Sequence, residues 1–292
     1  MEHAKKISNI PVLHFADGQI VEFDRPWVMG IINGSPNSFY QTALQVDAVL
    51  SLAEQMVIDG VDIIDVGGFA TSPHVNLQRD AVSVQAELDR VLPMIMIIKS
   101  HFNVRLSIDT SQPVVMQAAI DAGVDMINDQ RALHVSNAID VVASAKVPVC
   151  LMHFPYQREP GSTAATVLCQ HVIADLQKKI DRCLQAGISQ DRLLIDPGFG
   201  QGNYGKNTSE NFYLLKELKQ FQQFGLPILV GWSRKSMIGD TLGGVAPSER
   251  LHGSVAAATI AMMHGANILR VHDVKPTVDA IKISLAMSRS VA

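Results

Sequence analysis

Short apolar runs rich in Val and Ile return along the chain at near-regular intervals: WVMGII (27–32), VDIIDV (61–66), VRLSID (104–109), VDMIND (124–129), VPVCLMH (147–153), RLLID (192–196), PILVGW (227–232) and NILRVHD (267–273). Between them, apolar residues at helical spacing predict helices over 46–59, 81–100, 113–122, 164–186, 209–224 and 248–264. Continuous rather than alternating hydrophobicity is what parallel strands need when helices cover them outside. Eight strand-then-helix units in 292 residues therefore predict a closed (β/α)8 TIM barrel over an open doubly wound sheet. Ahead of the first unit, IPVLHFADGQIVEF holds two short runs around Asp17-Gly18, a hairpin signal. The expected division is a hairpin over 1–26, capping the N-terminal end of the barrel, and the barrel itself over 27–292.

Residues able to carry chemistry collect at the carboxyl ends of these runs: Asn33, Asp65 with Gly67 and Gly68, Asp109, Asn128, Met152 with His153, Asp196, Ser233 to Ser236, and Arg270 with His272. In a closed barrel they share one mouth, where the loops after the strands build the active sites of this fold. Any single aspartate reads equally well as a turn or cap residue, Asp109 beside Thr110 and Ser111 among them, and Ser233 and Ser236 as helix caps. The set resists that reading, because Arg270 and His272 interrupt an apolar run two positions apart. In a strand, residues at i and i+2 point to one face, so a guanidinium and an imidazole are aimed into one space and require a partner.

Composition excludes several classes. With 24 Lys and Arg against 28 Asp and Glu, a net charge of −4 and no basic block, the chain offers no electrostatic footprint for nucleic acid or an anionic membrane. MEHAKKISNI lacks the apolar core of a secretory signal, and the longest charge-free stretch, 253–269, carries His264 and Asn267 and breaks at Gly265. Cys150, Cys169 and Cys183 are odd in number and lack zinc spacing, which predicts packing residues in a reducing cytoplasm.

From VMGIIN at the first strand to RVHDV at the last, the chain resembles dihydropteroate synthase. That pterin-binding barrel family joins p-aminobenzoate to hydroxymethyl-dihydropterin pyrophosphate and releases pyrophosphate on the way to folate. The motifs that carry the resemblance are SIDT (107–110), GVDMIND (123–129), LMH (151–153), IDPGFG (195–200), LVGWSRKSMIG (229–239) and RVHDVK (270–275), in family order. The resemblance implies a transferase, most often a homodimer, that needs Mg²⁺. It implies that Asp196 and Asn128 hydrogen-bond the pterin edge, that Lys235 contacts the ring's acceptors, that Asp109 lies deep in the pocket and that Met152 is its apolar wall. Arg270 and His272 would grip the diphosphate, Asn33 would hold the Mg²⁺, and Ser236 at a helix start would take the carboxylate of p-aminobenzoate. Phe39, Thr71 and Pro73 match substrate-contacting positions of the first and second loops. Departures from the family fall on the acceptor side: Asn37 replaces a carboxylate, Ser72 stands where an arginine is expected, and Gln201 or Tyr204 occupies the neighbourhood of a usual phenylalanine. Three readings follow: a working synthase with unusual loops, a transferase using another aromatic amine, and a non-catalytic paralogue that binds the pterin pyrophosphate. A corrinoid-dependent methyltransferase is more distant, because SRKS and RVHD suit pyrophosphate loss better than methyl transfer.

Overall fold

The computed structural model describes residues 10–34, 46–68, 82–155 and 165–290. Eight parallel strands form the barrel wall: β3 (Trp27–Asn33), β4 (Ile63–Gly67), β5 (Arg105–Asp109), β6 (Met126–Asp129), β7 (Val149–Met152), β8 (Leu193–Asp196), β9 (Leu229–Val230) and β10 (Ile268–Val271). They are hydrogen-bonded in the order β8-β7-β6-β5-β4-β3-β10-β9. The ring closes through a parallel bridge between Ile195 and Ile228, with the Ile195 N–H donating to the Pro227 carbonyl at 3.0 Å. Helices α1 (Val46–Asp59), α2 (Val84–His101), α3 (Pro113–Asp121), α4 (Ala138–Ala145), α5 (Ala165–Gln185), α6 (Thr208–Lys216), α7 (Ser236–Thr241), α8 (Leu251–Met263) and α9 (Val274–Arg289) follow the strands in turn. The barrel expectation holds.

The strand period of two sorts side chains into two populations. Ile64, Val66, Leu106, Ile108, Ile127, Leu151, Ile195 and Leu269 face outward into the core beneath the helices. Met29, Ile63, Met126, Cys150, Leu194, Leu229 and Ile268 face inward and form a separate apolar floor. Strands β1 (Val12–His14) and β2 (Ile20–Glu22) pair antiparallel, and Leu13, Phe15, Val21 and Phe23 pack into that floor. The hairpin thus plugs the end of the barrel opposite the polar mouth. Arg105 clamps it: its guanidinium lies 4.3 Å from the Phe15 ring centroid and bonds Asp17 and Asp125 at 2.7 Å each.

Two sequence expectations are corrected, and one helix is added. The helix foreseen over 209–224 is two pieces, α6 and a 3₁₀ stretch over Leu218–Phe224; the first is set by a capping box between Asn207 and Glu210. Helix α4 was hidden by its eight-residue length and its left-handed Asn137 entry. His272 is not inside the last strand: β10 ends at Val271.

Candidate active site

Two residues above the floor on successive strands, the inward face changes character. The register sets Asp65 beside Ser107 and Ile31, Asp109 beside Asn128, Asn128 beside Cys150, and Met152 beside Asp196. Apolar floor and polar mouth are consecutive inward positions of the same strands.

Arg270 rises from β10 into the centre of this layer. Its Nε donates to Asp65 Oδ2 at 2.6 Å and its Nη2 to Asp109 Oδ2 at 2.8 Å, while Asn128 Nδ2 reaches the same Asp65 oxygen at 3.1 Å. Asp65 is wholly buried, and its other oxygen has no hydrogen-bond partner among the described residues. Gln130, two residues beyond Asn128, lays its Nε2 against both oxygens of Asp109 at 3.1 Å. Burial pushes the Asp109 carboxyl up to about 7; Arg270 opposes the rise and Asp65 adds to it. Burial also works against the Arg270 charge, but the two carboxylates outweigh it and hold the guanidinium above its ordinary value. Asp109 therefore spends its oxygens across the cavity and not on a cap: Thr110 takes the Gln112 N–H at 3.2 Å in the turn before α3, whose N-cap Gln112 has no side-chain cap bond.

Across the mouth, Asp196 ends β8 and accepts the Gly198 N–H at 2.7 Å. Gly198 adopts φ +74°, and a β-carbon there would sit 1.9 Å from the His153 carbonyl oxygen, so only glycine lets this turn approach β7. Two lysines hold the loop from its carbonyls: Lys206 Nζ donates to Gly198 at 2.6 Å and Lys235 Nζ to Phe199 at 2.5 Å. Burial lowers Lys235 to about 8, with Asp196 pulling it up and Arg270 pushing it further down; burial lowers Lys206 to about 7, against the pull of Asp196. Burial raises Asp196, and Lys235, Lys206 and Arg270 offset it. The Lys235 ammonium also lies 4.6 Å from the centroid of the Tyr204 ring, which meets Phe154 edge-on at 5.3 Å. Met152 is buried beside Asp196, and its carbonyl takes a 3.0 Å bond from Lys179. Behind it, Asp175 bonds both His153 at 2.7 Å and Lys179 at 2.6 Å. Arg270 charge acts on Lys235 and Asp196 alike, so the two halves share one electrostatic cavity.

His272 departs from expectation in partner as well as position. Its Nδ1 lies 3.0 Å from Ser233 Oγ, which also accepts the His272 backbone N–H at 3.1 Å. Burial, then Arg270 and Arg234, push the imidazole down to about 3, so it is neutral rather than cationic. Arg270 and His272 thus hold separate partners, because the chain leaves the strand between them. The Ser233–Lys235 turn is fixed by Arg234, a non-glycine residue at φ +57° paired through Nε and Nη2 with Asp273 at 2.9 and 2.5 Å. Ser236 opens the six-residue α7, and its Oγ is buried with no hydrogen-bond partner among the described residues.

Asn33 ends β3 at the rim of a cleft of about 300 Å³ also lined by Ile31, Gln55, His272 and Lys275. Among the described residues no three His, Cys, Asp or Glu side chains are grouped to hold a metal ion. Asn33 thus offers one neutral carboxamide at this cleft, so a Mg²⁺ there would have to draw most of its ligands from phosphate and water.

The structure brings together Asp109, Asn128, Met152, Asp196, Lys235 and Arg270, and sets Asn33 with His272 at the neighbouring cleft. Phe39, Thr71 and Pro73, with Asn37 and Ser72, lie outside the described residues. Although Asp65 and Ser233 stand in the strand-end set, sequence reasoning gave no substrate or metal role to Asp65, Gln130, Lys206 or Ser233. Period-two counting from Ile63 and Asn128 reaches the first two, but their partners are set by packing across the barrel.

A family model for pterin binding enzymes matches residues 29–272. Dihydropteroate synthase from Escherichia coli (strain K12) is 45% identical over 276 residues, covering 92% of this chain and 94% of that protein. A structure of dihydropteroate synthase from Coxiella burnetii in complex with pteroic acid superposes with a TM-score of 0.89 at 54% identity, covering 95% of this chain and 98% of that one. The Xanthomonas albilineans dihydropteroate synthase in complex with 7,8-dihydropteroate superposes with a TM-score of 0.82 at 38% identity, covering 96% and 100%. With the family model matching most of the barrel and relatives of this identity covering nearly the whole chain, the protein belongs to the dihydropteroate synthase family of pterin binding enzymes.

Proposed function

We propose that the barrel mouth condenses p-aminobenzoate with hydroxymethyl-dihydropterin pyrophosphate, releasing pyrophosphate and forming dihydropteroate. The observation that carries this is the convergence of Asp109, Asn128, Asp196, Lys235 and Arg270 on one buried polar cavity. A pterin edge presents N–H donors beside a carbonyl, and a carboxylate with a neighbouring carboxamide is its complement. Asp196 and Asn128 supply that pair, Met152 the apolar wall, and Asp109 the carboxylate at depth. Lys235, lowered to about 8, meets the ring's acceptors at little desolvation cost. His272 is neutral; with the Ser233 hydroxyl donating a hydrogen bond to Nδ1, the ring proton sits on Nε2 and can be donated in a hydrogen bond toward a phosphate. Arg270 adds a fixed guanidinium, so anion stabilisation is built in before charge develops on the leaving group. Asn33 would hold Mg²⁺, which supplies positive charge beside the diphosphate. An aromatic amine is already nucleophilic, so these residues need only place it and stabilise the leaving anion. Ser236, Thr71, Pro73 and Phe39 complete the acceptor side of this assignment.

Two coarser features extend the reading. Exposed Ile260, Met263, Ile283 and Met287 on α8 and α9 support a homodimer through this face. Three free, buried cysteines suit a reducing cytoplasm, and among the described residues no helix is long and apolar enough to cross a membrane.

The test is purified protein with Mg²⁺, pterin pyrophosphate and p-aminobenzoate. Release of pyrophosphate with formation of dihydropteroate is expected. Release with other aromatic amines alone would establish a different acceptor, and tight pterin binding without turnover a binding protein.

A further inference from the structure

Gln130 and Tyr204 belong to no assigned role, yet they join the two halves of the cavity. The Tyr204 hydroxyl donates to Gln130 Oε1 at 3.4 Å, and Gln130 Nε2 donates to both Asp109 oxygens at 3.1 Å. Asp109 leads on through Arg270 to Asp65 and from Asp65 to Asn128. At its other end the Tyr204 ring lies under the Lys235 ammonium. Both residues are buried. The carboxamide orientation is dictated from both sides, since a flipped amide would set its oxygen against the carboxylate and its NH₂ against a phenol that already has a donor to place. Gly200 makes the arrangement possible: at φ +149°, a β-carbon there would stand 2.6 Å from the Tyr204 ring.

We propose that Gln130 is a positioning residue for the pterin ring, holding Asp109 in place and tying it to Tyr204, so that the loop after β8 contributes to ring affinity without touching the ring's recognised edge. This rests on the functional reading above and deepens it. Asp109 has two kinds of partner in the cavity. The Arg270 bond is charge-assisted and shorter, whereas the two Gln130 bonds share one neutral donor. A ring N–H arriving at Asp109 therefore displaces or shares the Gln130 contact first. Where the carboxamide settles depends on its other end, which Tyr204 holds. A purely structural carboxamide would satisfy Asp109 and do nothing more.

The experiment is a double-mutant cycle on ring binding, using Gln130→Met, which keeps the volume and removes the amide, and Tyr204→Phe, which keeps the ring and removes the hydroxyl. Calorimetry with a pterin-ring analogue gives Kd; steady-state kinetics gives KM for each substrate; thermal unfolding reports folding. Gln130→Met is expected to raise the ring Kd by about 10-fold, the worth of a hydrogen bond to a buried carboxylate. Tyr204→Phe should raise it by about 3-fold, and the double variant should bind no worse than Gln130→Met alone, because one connection is being cut twice. Effects that multiply in the double variant overturn the proposal. So does a Gln130→Met protein with lowered Tm and unchanged ring Kd, which is the signature of a structural role. Failure of the unaltered protein to bind the ring would overturn the functional reading together with this one, and is distinguished by appearing before any substitution is made.

Discussion

Replacing Asp65 by Asn tests the wiring of the site at its least accessible point. The change keeps the side-chain shape and removes one charge from a wholly buried position. Asp65 Oδ2 receives both Arg270 Nε and Asn128 Nδ2, and an amide oxygen accepts these more weakly than a carboxylate. A charge-assisted bond reduced to an ordinary one loses about 1.5 kcal/mol, so kcat/KM should fall roughly 10-fold through a misplaced guanidinium. A second consequence has a sign that misfolding cannot imitate. Asp65 helps to raise the Asp109 carboxyl toward its value of about 7, and Arg270 lowers it. Asp65→Asn removes the repulsion and leaves Arg270 with Asp109 as its remaining carboxylate, so both changes push the Asp109 carboxyl down. The acid limb of ring binding, followed by calorimetry from pH 5 to 8, should move to lower pH even as affinity at its plateau weakens. A limb that stays near 7 or rises, with kcat/KM within about 3-fold of the unaltered protein, would refute the reasoning.

Further outcomes follow from other contacts. Ring binding in the unaltered protein should strengthen as pH rises through about 7, where Asp109 ionises, and weaken beyond about 8, where Lys235 loses its proton; a flat profile across that window would contradict the assignment. Phe15→Ala removes a floor residue and the surface beneath Arg105, at a cost of about 3–5 kcal/mol in urea unfolding. His153 is held neutral by burial down to about 4, below its usual 6.5, so the unfolded chain takes up this proton first; stability present above 6.5 should decline as pH falls toward 4, by about 3 kcal/mol, and His153→Gln should flatten that decline in acid unfolding curves. Ile283→Glu with Met287→Glu on the exposed face of α9 should shift sedimentation toward monomer without altering Tm by more than a few degrees; unchanged sedimentation would remove this face from the dimer proposal.

The barrel was legible because its strands are buried on both faces and so read as unbroken apolar runs, from Trp27 to Val271. Strand-end counting also found Asp109, Asn128, Asp196 and Arg270, since the period of two places them above the floor. What it could not find was pairing. Asp65 stood in the same strand-end pattern, but that it anchors Arg270 from 205 residues away depends on the closure of the ring. His272 was misjudged because the strand stops at Val271, one residue before it, while the next apolar residue, Val274, already belongs to α9. Lys206 is a lone lysine in a glycine-rich loop, and its burial comes from the Gly198 turn folding back on it. Helix α6 ends early because Glu217 leaves the helix and the next residues tighten into 3₁₀ turns, a change that hydrophobic spacing does not register.

The plug formed by β1 and β2 gives the barrel a blind end. Leu13, Phe15, Val21 and Phe23 pack into the floor beneath the polar layer, so that among the described residues apolar side chains close the bottom. On the proposed function, traffic should then be stacked like plates in a well: a molecule seated against Asp109 and Asn128 is expected to enter before anything resting at the rim, and to depart after it.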